Sequence, residues 1–164
     1  MLPKAIRKEL VSAIQKSAHP RELVVDVLYA LQRHYGYLSD RAVLDAAELL
    51  DMTALEIEEL ATFYDYIYRE PVGKYVIHAC DSIVCWMQGH ESVMQYLSRT
   101  LGIPVCGTTA DGLFSLLPGG CIGYCDHAPA MLINGEPFGS LTPESIDAIL
   151  DRLRQEQPAV GEVR

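Results

Sequence analysis

Apolar residues among the first 70 positions recur every three to four residues, the spacing that places them on one face of an α-helix. Four such faces predict four helices. The first two comprise Ile6, Leu10, Val11 and Ile14, and then Leu23, Val24, Val27, Leu28, Leu31 and Tyr35. The next two comprise Val43, Leu44, Ala47 and Leu50, and then Ile57, Leu60, Ala61 and Tyr64.

Capping residues support these helices. Pro20 is suited to open the second helix, and Gly36 to end it, because glycine accepts the left-handed conformation of a helix cap. Ser39 precedes the third helix, and Thr53 with Glu56 has the form of a capping box for the fourth. We therefore expect residues 1–70 to form a helical bundle.

The pattern changes where Tyr64, Tyr66 and Tyr68 alternate with other residues, just before Pro71, and this change marks a boundary between two regions. The tyrosine row has two interpretations. It is either a packing surface of the core or an aromatic patch for a partner.

The second region, residues 71–155, alternates strand and helix. Predicted strands are 74–79, 113–117 and 130–133, and Asn134-Gly135 is a hairpin signal leading into a short return strand. Predicted helices bear apolar faces of Val93, Met94, Leu97 and Leu101, and of Ile146, Ile149, Leu150 and Leu153, the latter opened by Thr142 and Pro143. This order predicts an α+β fold with a thioredoxin-like domain, a small mixed sheet flanked by helices. Residues 156–164 are expected to be a flexible tail.

Composition narrows the function. Hydrophobic residues make up 49% of the 164, enough for a core, while a net charge of −9 disfavours nucleic acid and anionic lipid as partners. No apolar run approaches the roughly 20 residues of a membrane span, and no secretory signal is recognisable. We expect a reducing cytosol, where paired cysteines more often hold metal or do redox chemistry than form disulfides.

Two close cysteine pairs follow predicted strand ends, Cys80 with Cys85 and Cys121 with Cys125. If each pair occupies a loop at one edge of the sheet, four thiols can converge on one metal centre. A 2Fe–2S cluster held by four thiolates carries negative charge and needs backbone amides near its sulfurs, which glycines allow. Three glycines frame the second pair: Gly119, Gly120 and Gly123. Cys106 has no partner at ligand spacing, and we expect a buried or inert thiol.

Other cysteine chemistries fit the spacing less well. Structural zinc knuckles and thioredoxin-type dithiols both use Cys-x2-Cys, and neither pair has that gap. Mixed ligation of the Rieske type would draw on His78, His90 or His127, but four suitable cysteines make it unnecessary, and we expect surface or loop histidines.

The pattern Cys80-x4-Cys85, 35 residues, Cys121-x3-Cys125 resembles the thioredoxin-like 2Fe–2S ferredoxin subunit of bacterial NADH:quinone oxidoreductase, the E-type component of respiratory complex I. The resemblance covers about Arg21 to Arg154. Gly119-Gly120 stands where bulkier residues are common in that family. The landmarks that carry the resemblance are Ala61-Thr-Phe-Tyr64, Pro71-Val-Gly-Lys-Tyr75, Cys80-Asp-Ser-Ile-Val-Cys85, Asp111-Gly-Leu-Phe114 and Leu141-Thr-Pro-Glu144.

The resemblance implies an electron carrier without catalytic residues of its own. Its one 2Fe–2S cluster, bound by Cys80, Cys85, Cys121 and Cys125, would exchange single electrons with the FMN of a partner flavoprotein subunit (F-type) that binds NADH. The helical region would lie on that flavoprotein, and the large iron–sulfur subunit (G-type) would be a further partner, in a peripheral arm on the cytoplasmic side of the membrane. This chain has no Gly-x-Gly-x-x-Gly and no phosphate loop of its own.

Two alternatives remain open. Related subunits serve NAD-reducing hydrogenases and NAD-dependent formate dehydrogenases, with the same cofactor in a different host. A zinc-stabilised interaction module is an alternative of another class.

Overall fold

The computed structural model describes residues 2–156, apart from the side chains at 90–92. The chain divides into two compact units between Pro71 and Val72, and each unit is described by itself. The expected tail lies outside the described residues except for Glu156.

The first unit is a bundle of four α-helices, with a single 3-10 turn at Pro20–Leu23 leading into the second. The helices are α1 (Lys4–Lys16), α2 (Val24–Tyr35), α3 (Asp40–Leu50) and α4 (Ala54–Phe63). Their apolar faces meet in one core whose fully buried members include Leu28, Leu31, Leu38, Ala46, Ile57 and Ala61. The predicted helical bundle is confirmed.

The predicted caps are present. Gly36 ends α2 with φ at +84°, a conformation that glycine adopts without strain. The Ser39 hydroxyl accepts the Ala42 amide at the start of α3. Thr53 and Glu56 form a reciprocal capping box at the start of α4.

Two predicted core residues of this unit are exposed. Leu44 is 55% exposed, and the buried position beside it is Asp45, whose carboxylate accepts the Tyr35 hydroxyl at 2.7 Å and pairs with Arg41 at 2.9 Å. Tyr64 is exposed because α4 ends at Phe63 and the backbone of Tyr64 is extended, so the helical spacing no longer sets its direction.

The tyrosine row forms no strand. Tyr66 and Tyr68 are half-buried, and between them Ile67 is buried in the core. Burial, followed by the neighbouring tyrosines, raises the pKa of Tyr68 to about 12. The Gln32 side chain holds this segment by donating to the Tyr66 carbonyl and accepting the Tyr68 amide. The packing interpretation therefore suits Tyr68, whereas Tyr64 remains on the surface.

The second unit is a five-stranded mixed sheet with helices, as the α+β prediction requires. The strands are β1 (Tyr75–Cys80), β2 (Gly107–Thr108), β3 (Phe114–Gly119), β4 (Met131–Ile133) and β5 (Glu136–Phe138), in the order β2-β3-β1-β4-β5. β1 and β3 are parallel, and the other pairs are antiparallel. The helices are α5 (Ile83–Met87), α6 (His90–Leu101) and α7 (Pro143–Gln155).

The core of this unit lies between the sheet and the apolar faces of α6 and α7. The predicted inward residues Val93, Leu97, Ile146, Leu150 and Leu153 are buried there with Ile77, Phe114, Leu116 and Met131 of the sheet. The hairpin prediction is also confirmed, with both Asn134 and Gly135 at positive φ.

Three features of this unit differ from expectation. β2, only two residues long, and α5 were not predicted. Pro118 and Gly119 lie within β3, beyond the predicted end of that strand at residue 117. β2 pairs only with Ser115 and Leu116, so at Pro118 no strand lies on that side and the missing N–H breaks no bond of the ladder. No helix in the described part of the chain has the length and apolar character to cross a bilayer.

Thr142→Ala is expected to destabilise the second unit by about 1 kcal/mol, because α7 loses its N-cap. The Thr142 hydroxyl accepts the Ser145 amide, while the Ser145 hydroxyl accepts the Thr142 amide. Urea unfolding measures the loss. Thr142→Ser keeps the hydroxyl and should retain most of the stability; equal losses in the two variants would contradict the capping role.

Candidate metal centre

The parallel pairing of β1 with β3 brings the ends of both strands to one edge of the sheet. Cys80, the last residue of β1, is in register with Gly119, the last residue of β3. The backbone is held on both sides here, because the Cys80 amide donates to the Ala130 carbonyl at 3.0 Å and the Asp81 amide donates to the Gly119 carbonyl at 2.8 Å. The first cysteine and the segment leading to Cys121 are therefore neighbours.

Cys85 lies in α5 rather than in a loop, which corrects the expectation that each pair occupies a loop. This helix begins directly after Ser82 and turns Cys85 towards the sheet, where its side chain is buried. Cys85, Cys80 and Ala130 form a small buried cluster. This single turn of helix therefore places Cys85 next to Cys80.

The second pair lies on the segment between β3 and β4. Cys121 and Cys125 are both exposed, and Cys125 begins a 3-10 turn, Cys125–His127. Gly123 between them has φ at +75°, where a side chain would be strained. This conformation folds the segment back so that the two thiols meet.

The four predicted cysteines are brought together. Cys85 lies within hydrogen-bonding reach of Cys80, and Cys121 within reach of both Cys80 and Cys125. Cys125 is also close enough to Cys85 to raise the pKa of that thiol. The contacts thus link both pairs in a single group at the edge of the sheet.

Polar groups are directed at these sulfurs and set their pKa values in opposite directions. The Gly123 amide and then the Ser82 hydroxyl lower the pKa of Cys121 by hydrogen bonding to its sulfur. Burial raises the pKa of Cys85 to about 11, although the Ala130 amide hydrogen-bonds to its sulfur. The pKa of Cys125 is raised by loss of hydration and by Cys121.

The segment bearing Cys125 is backed by the chain that follows β5. The Ser140 amide donates to the His127 carbonyl at 2.6 Å, and the Tyr124 and His127 rings lie 4.6 Å apart. At Gly139, an added Cβ would lie only 2.5 Å from the His127 Cβ and 2.8 Å from the Tyr124 ring. The absence of a side chain at Gly139 therefore allows this close packing.

Gly119 also packs closely, since an added Cβ would lie 3.2 Å from the Cβ of His78. A side chain at this position would require its neighbours to shift by a few tenths of an ångström. His78 itself is buried in β1, so the expectation of a surface or loop histidine is wrong for it. His127 is exposed and pairs with Asp126, and the His90 side chain lies outside the described residues.

Cys106 lies elsewhere, at the start of the edge strand β2. Of the two expected states, buried or inert, the first is wrong because the thiol is exposed, and an inert thiol stays a prediction. It occupies a tight turn closed by the Gly107 amide and the Pro104 carbonyl, with φ at +65°. The central residues of such a turn point away from the core, which explains the exposure.

The donor set suits a 2Fe–2S cluster, since four thiols from two segments interact with one another here. Across the described residues, no three His, Cys, Asp or Glu side chains have the arrangement that would hold one metal ion. A 2Fe–2S cluster requires no such convergence, because each of its irons takes two protein ligands. Four thiols with an amide or a hydroxyl directed at two of them match that requirement.

Sequence reasoning missed three contributors to this site. Ser82 lies within the Cys80–Cys85 segment, and a hydroxyl among the ligands is a signal that could have been used. Ala130 acts through its backbone amide, and Gly139 through its missing side chain. Neither the Ala130 amide nor the close packing at Gly139 can be recognised from the residue types near the cysteines.

Gly139→Ala is expected to displace the segment that carries Cys125, and to lower the iron content or alter the visible and EPR spectra of the purified protein. Overpacking of this kind costs about 1–3 kcal/mol. Gly73→Ala is the matched control, because an added Cβ there would lie 2.8 Å from the Phe114 carbonyl carbon, at the opposite end of β1. The control should lose stability but keep the spectra; matching spectra in both variants would contradict the role of Gly139.

Alkylation of the cluster-free chain at pH 8 should modify Cys121 first and Cys85 last. Only the thiolate reacts, and with a pKa of about 11 roughly one Cys85 in a thousand is a thiolate at that pH. The pKa of Cys121 is lowered and its side chain is exposed, so its thiolate is available at lower pH. Peptide mass spectrometry after timed quenching measures the order. Cys85 reacting as fast as Cys121 would contradict these directions.

The chain is similar to known proteins of one family. The model of the thioredoxin-like [2Fe-2S] ferredoxin family matches residues 10–154. The E-type subunit of NADH-quinone oxidoreductase from Pseudomonas aeruginosa is 40% identical over 144 residues, 85% of this chain and 87% of the relative. The E-type subunit of the same name from Escherichia coli K12 is 38% identical over 146 residues, 87% of this chain and 88% of the relative.

Among solved structures, the crystal structure of an air-oxidised NAD+-reducing [NiFe]-hydrogenase matches 80% of this chain with a TM-score of 0.69 and 29% identity. This chain spans only 23% of the hydrogenase chain that it matches. The family model covers all four cysteines and most of both units. The chain belongs to the thioredoxin-like [2Fe-2S] ferredoxin family.

Proposed function

We propose that Cys80, Cys85, Cys121 and Cys125 hold one 2Fe–2S cluster, and that the chain is the E-type electron-transfer component of an NADH:quinone oxidoreductase. The observation that carries the proposal is the meeting of four thiols from two segments at one edge of the sheet. Similarity to the E-type subunits of that enzyme over most of both chains supports the choice of host.

The residues of this chain would hold and orient the cluster and shield part of it from water. β1 fixes Cys80, and the short helix α5 buries Cys85 against Ala130, which keeps water from that pair. Cys121 and Cys125 are exposed and would form the outer side of the site. A bound 2Fe–2S cluster supplies one-electron exchange.

Amides and the hydroxyl near the sulfurs would influence the reduction potential. A cluster with four thiolates gains one negative charge on reduction, and hydrogen bonds to its sulfurs stabilise that charge. In this chain the Gly123 amide and the Ser82 hydroxyl are directed at the sulfur of Cys121, and the Ala130 amide is directed at the sulfur of Cys85. No acid or base from this chain is needed, because the step transfers an electron and no proton.

The electron would come from a flavin in a partner chain. The sequence has no dinucleotide or phosphate-binding motif, so FMN and NADH are assigned to a flavoprotein subunit of the F type. The large iron–sulfur subunit of the G type is assigned as a further neighbour. The proposed setting is the cytoplasmic side of a membrane-bound complex.

A second host has a specific observation in its favour. The match to the NAD+-reducing [NiFe]-hydrogenase supports the same electron-carrier role within a hydrogenase. The two hosts differ in their partners rather than in the site. Purification of the chain with its native partners separates them, since only the hydrogenase would contribute nickel.

Loss of any one ligand should abolish or severely disturb the EPR signal of the reduced cluster. The variants are alanine substitutions at Cys80, Cys85, Cys121 and Cys125. Cys106→Ala is the control, because this thiol is exposed and precedes the outer strand β2, outside both segments that carry the predicted ligands. The wild-type chain should contain about two irons and two acid-labile sulfides. An intact signal in Cys121→Ala would overturn the ligand assignment. A colourless protein with one zinc would support the zinc-stabilised module instead.

A further inference from the structure

The helix α5 has two opposite faces. Cys85 is buried, whereas Ile83 is 65%, Trp86 59% and Met87 71% exposed, and Val84 is also exposed. At 100° per residue these four apolar side chains lie within an arc of about 160° on the side of the helix away from Cys85. One helical turn therefore buries a ligand and presents four large apolar residues to solvent.

The exposed apolar residues of the chain are concentrated in α5. Among the described residues the chain has nine exposed large hydrophobic residues, and four of them lie in these five positions. α5 contains no charged residue, in a chain whose net charge is −9. Contiguous apolar surface of this kind in a protein that is otherwise charged marks an interaction site. We refer to Ile83, Val84, Trp86 and Met87 as the α5 patch.

The α5 patch lies on the outer face of a helix whose inner face and preceding residue contact the metal centre. Ser82, which immediately precedes α5, hydrogen-bonds to the exposed Cys121. Cys85, on the inner face of the helix, interacts with the exposed Cys125. Because electron tunnelling weakens steeply with distance, a redox partner must come close to the metal centre, and a partner on the outer face of α5 is separated from Cys85 by one helix diameter, roughly 10 Å.

We propose that the α5 patch is the docking surface for the flavin-bearing partner chain, with Trp86 as its central anchor. This inference rests on the proposed electron-transfer function. The exposed carboxylates of Asp81 and Asp126 lie beside the ligands, so the partner surface that fits is apolar at its centre and basic at its rim. Tryptophan is enriched among residues that dominate binding energy, and Trp86 is the single tryptophan of the sequence.

A second copy of this chain fits the patch less well. A stable complex buries roughly 800 Å² on each partner, and four partly exposed side chains of one helical turn supply well below that area. Two α5 patches facing each other would also bring together two copies of the exposed Asp81, which lies two residues before the helix. The patch is therefore one part of a larger interface with a different chain.

The test measures binding of the cluster-loaded chain to the flavin-bearing chain that co-purifies with it. Trp86→Glu with Met87→Glu should weaken the affinity at least about ten-fold and slow NADH-dependent reduction of the cluster. Val105→Glu is the matched control, because Val105 is also an exposed apolar residue of the second unit but lies beside the edge strand β2. It should stay within about two-fold of the wild type.

Each preparation is first checked for the visible spectrum and dithionite-reduced EPR signal of the wild type. If the double variant loses its cluster, Met87→Ser replaces it, since that side chain is 71% exposed and contributes little to holding α5. A second readout labels this chain with 5-fluorotryptophan, and its one ¹⁹F resonance should shift when the unlabelled partner binds.

The outcomes separate this inference from the proposed function. If the wild-type chain carries a cluster but neither binds nor exchanges electrons with a flavoprotein, the proposed function fails. If the wild type binds and the α5 variants bind equally well, or the ¹⁹F resonance does not move, only the docking surface is overturned. A wild-type homodimer in sedimentation that the α5 substitutions dissociate would assign the patch to self-association and overturn the proposal.

Discussion

The parallel pairing of β1 with β3 is the constraint on which the metal centre depends. It sets Cys80 beside Gly119, so that two cysteine pairs about 35 residues apart in sequence start from adjacent strand ends. The antiparallel β4 completes the arrangement from the other side, because Ala130, which precedes it, accepts the Cys80 amide and directs its own amide at Cys85. A register shift of one residue would separate these groups and turn Cys80 to the opposite face of the sheet.

Close backbone approach is the second requirement, and small residues meet it. Gly119 lets β3 lie against His78, and Gly139 lets the chain after β5 lie against His127 and Tyr124. Gly123 supplies a positive φ and an amide directed at Cys121. These three glycines lie on different segments, yet each brings backbone next to the segments that carry the ligands. The site is consequently rigid where the backbone is held and open where Cys121 and Cys125 reach the surface.

The short helix α5 links the metal centre to its surroundings. Because a helix turns 100° per residue, the same five residues bury Cys85 and expose Ile83, Val84, Trp86 and Met87. A carrier that exchanges electrons with another protein needs both a protected ligand pair and a surface that brings the partner close. α5 provides both within one helical turn: the buried ligand Cys85 on its inner face and the α5 patch on its outer face.

Local features and the candidate ligands could be predicted from the order of the amino acids alone. Caps such as the Thr53–Glu56 box and the Asn134-Gly135 turn depend on neighbours a few residues away, and they were predictable for that reason. The spacing of the two cysteine pairs likewise predicted one site of four thiols, at Cys80, Cys85, Cys121 and Cys125. Features that depend on residues distant in sequence could be seen only once the chain was folded. Four features follow from strands and helices far away in sequence, which no local pattern encodes. They are the exposure of Leu44, the continuation of β3 through Pro118, the helix around Cys85 and the close packing at Gly139.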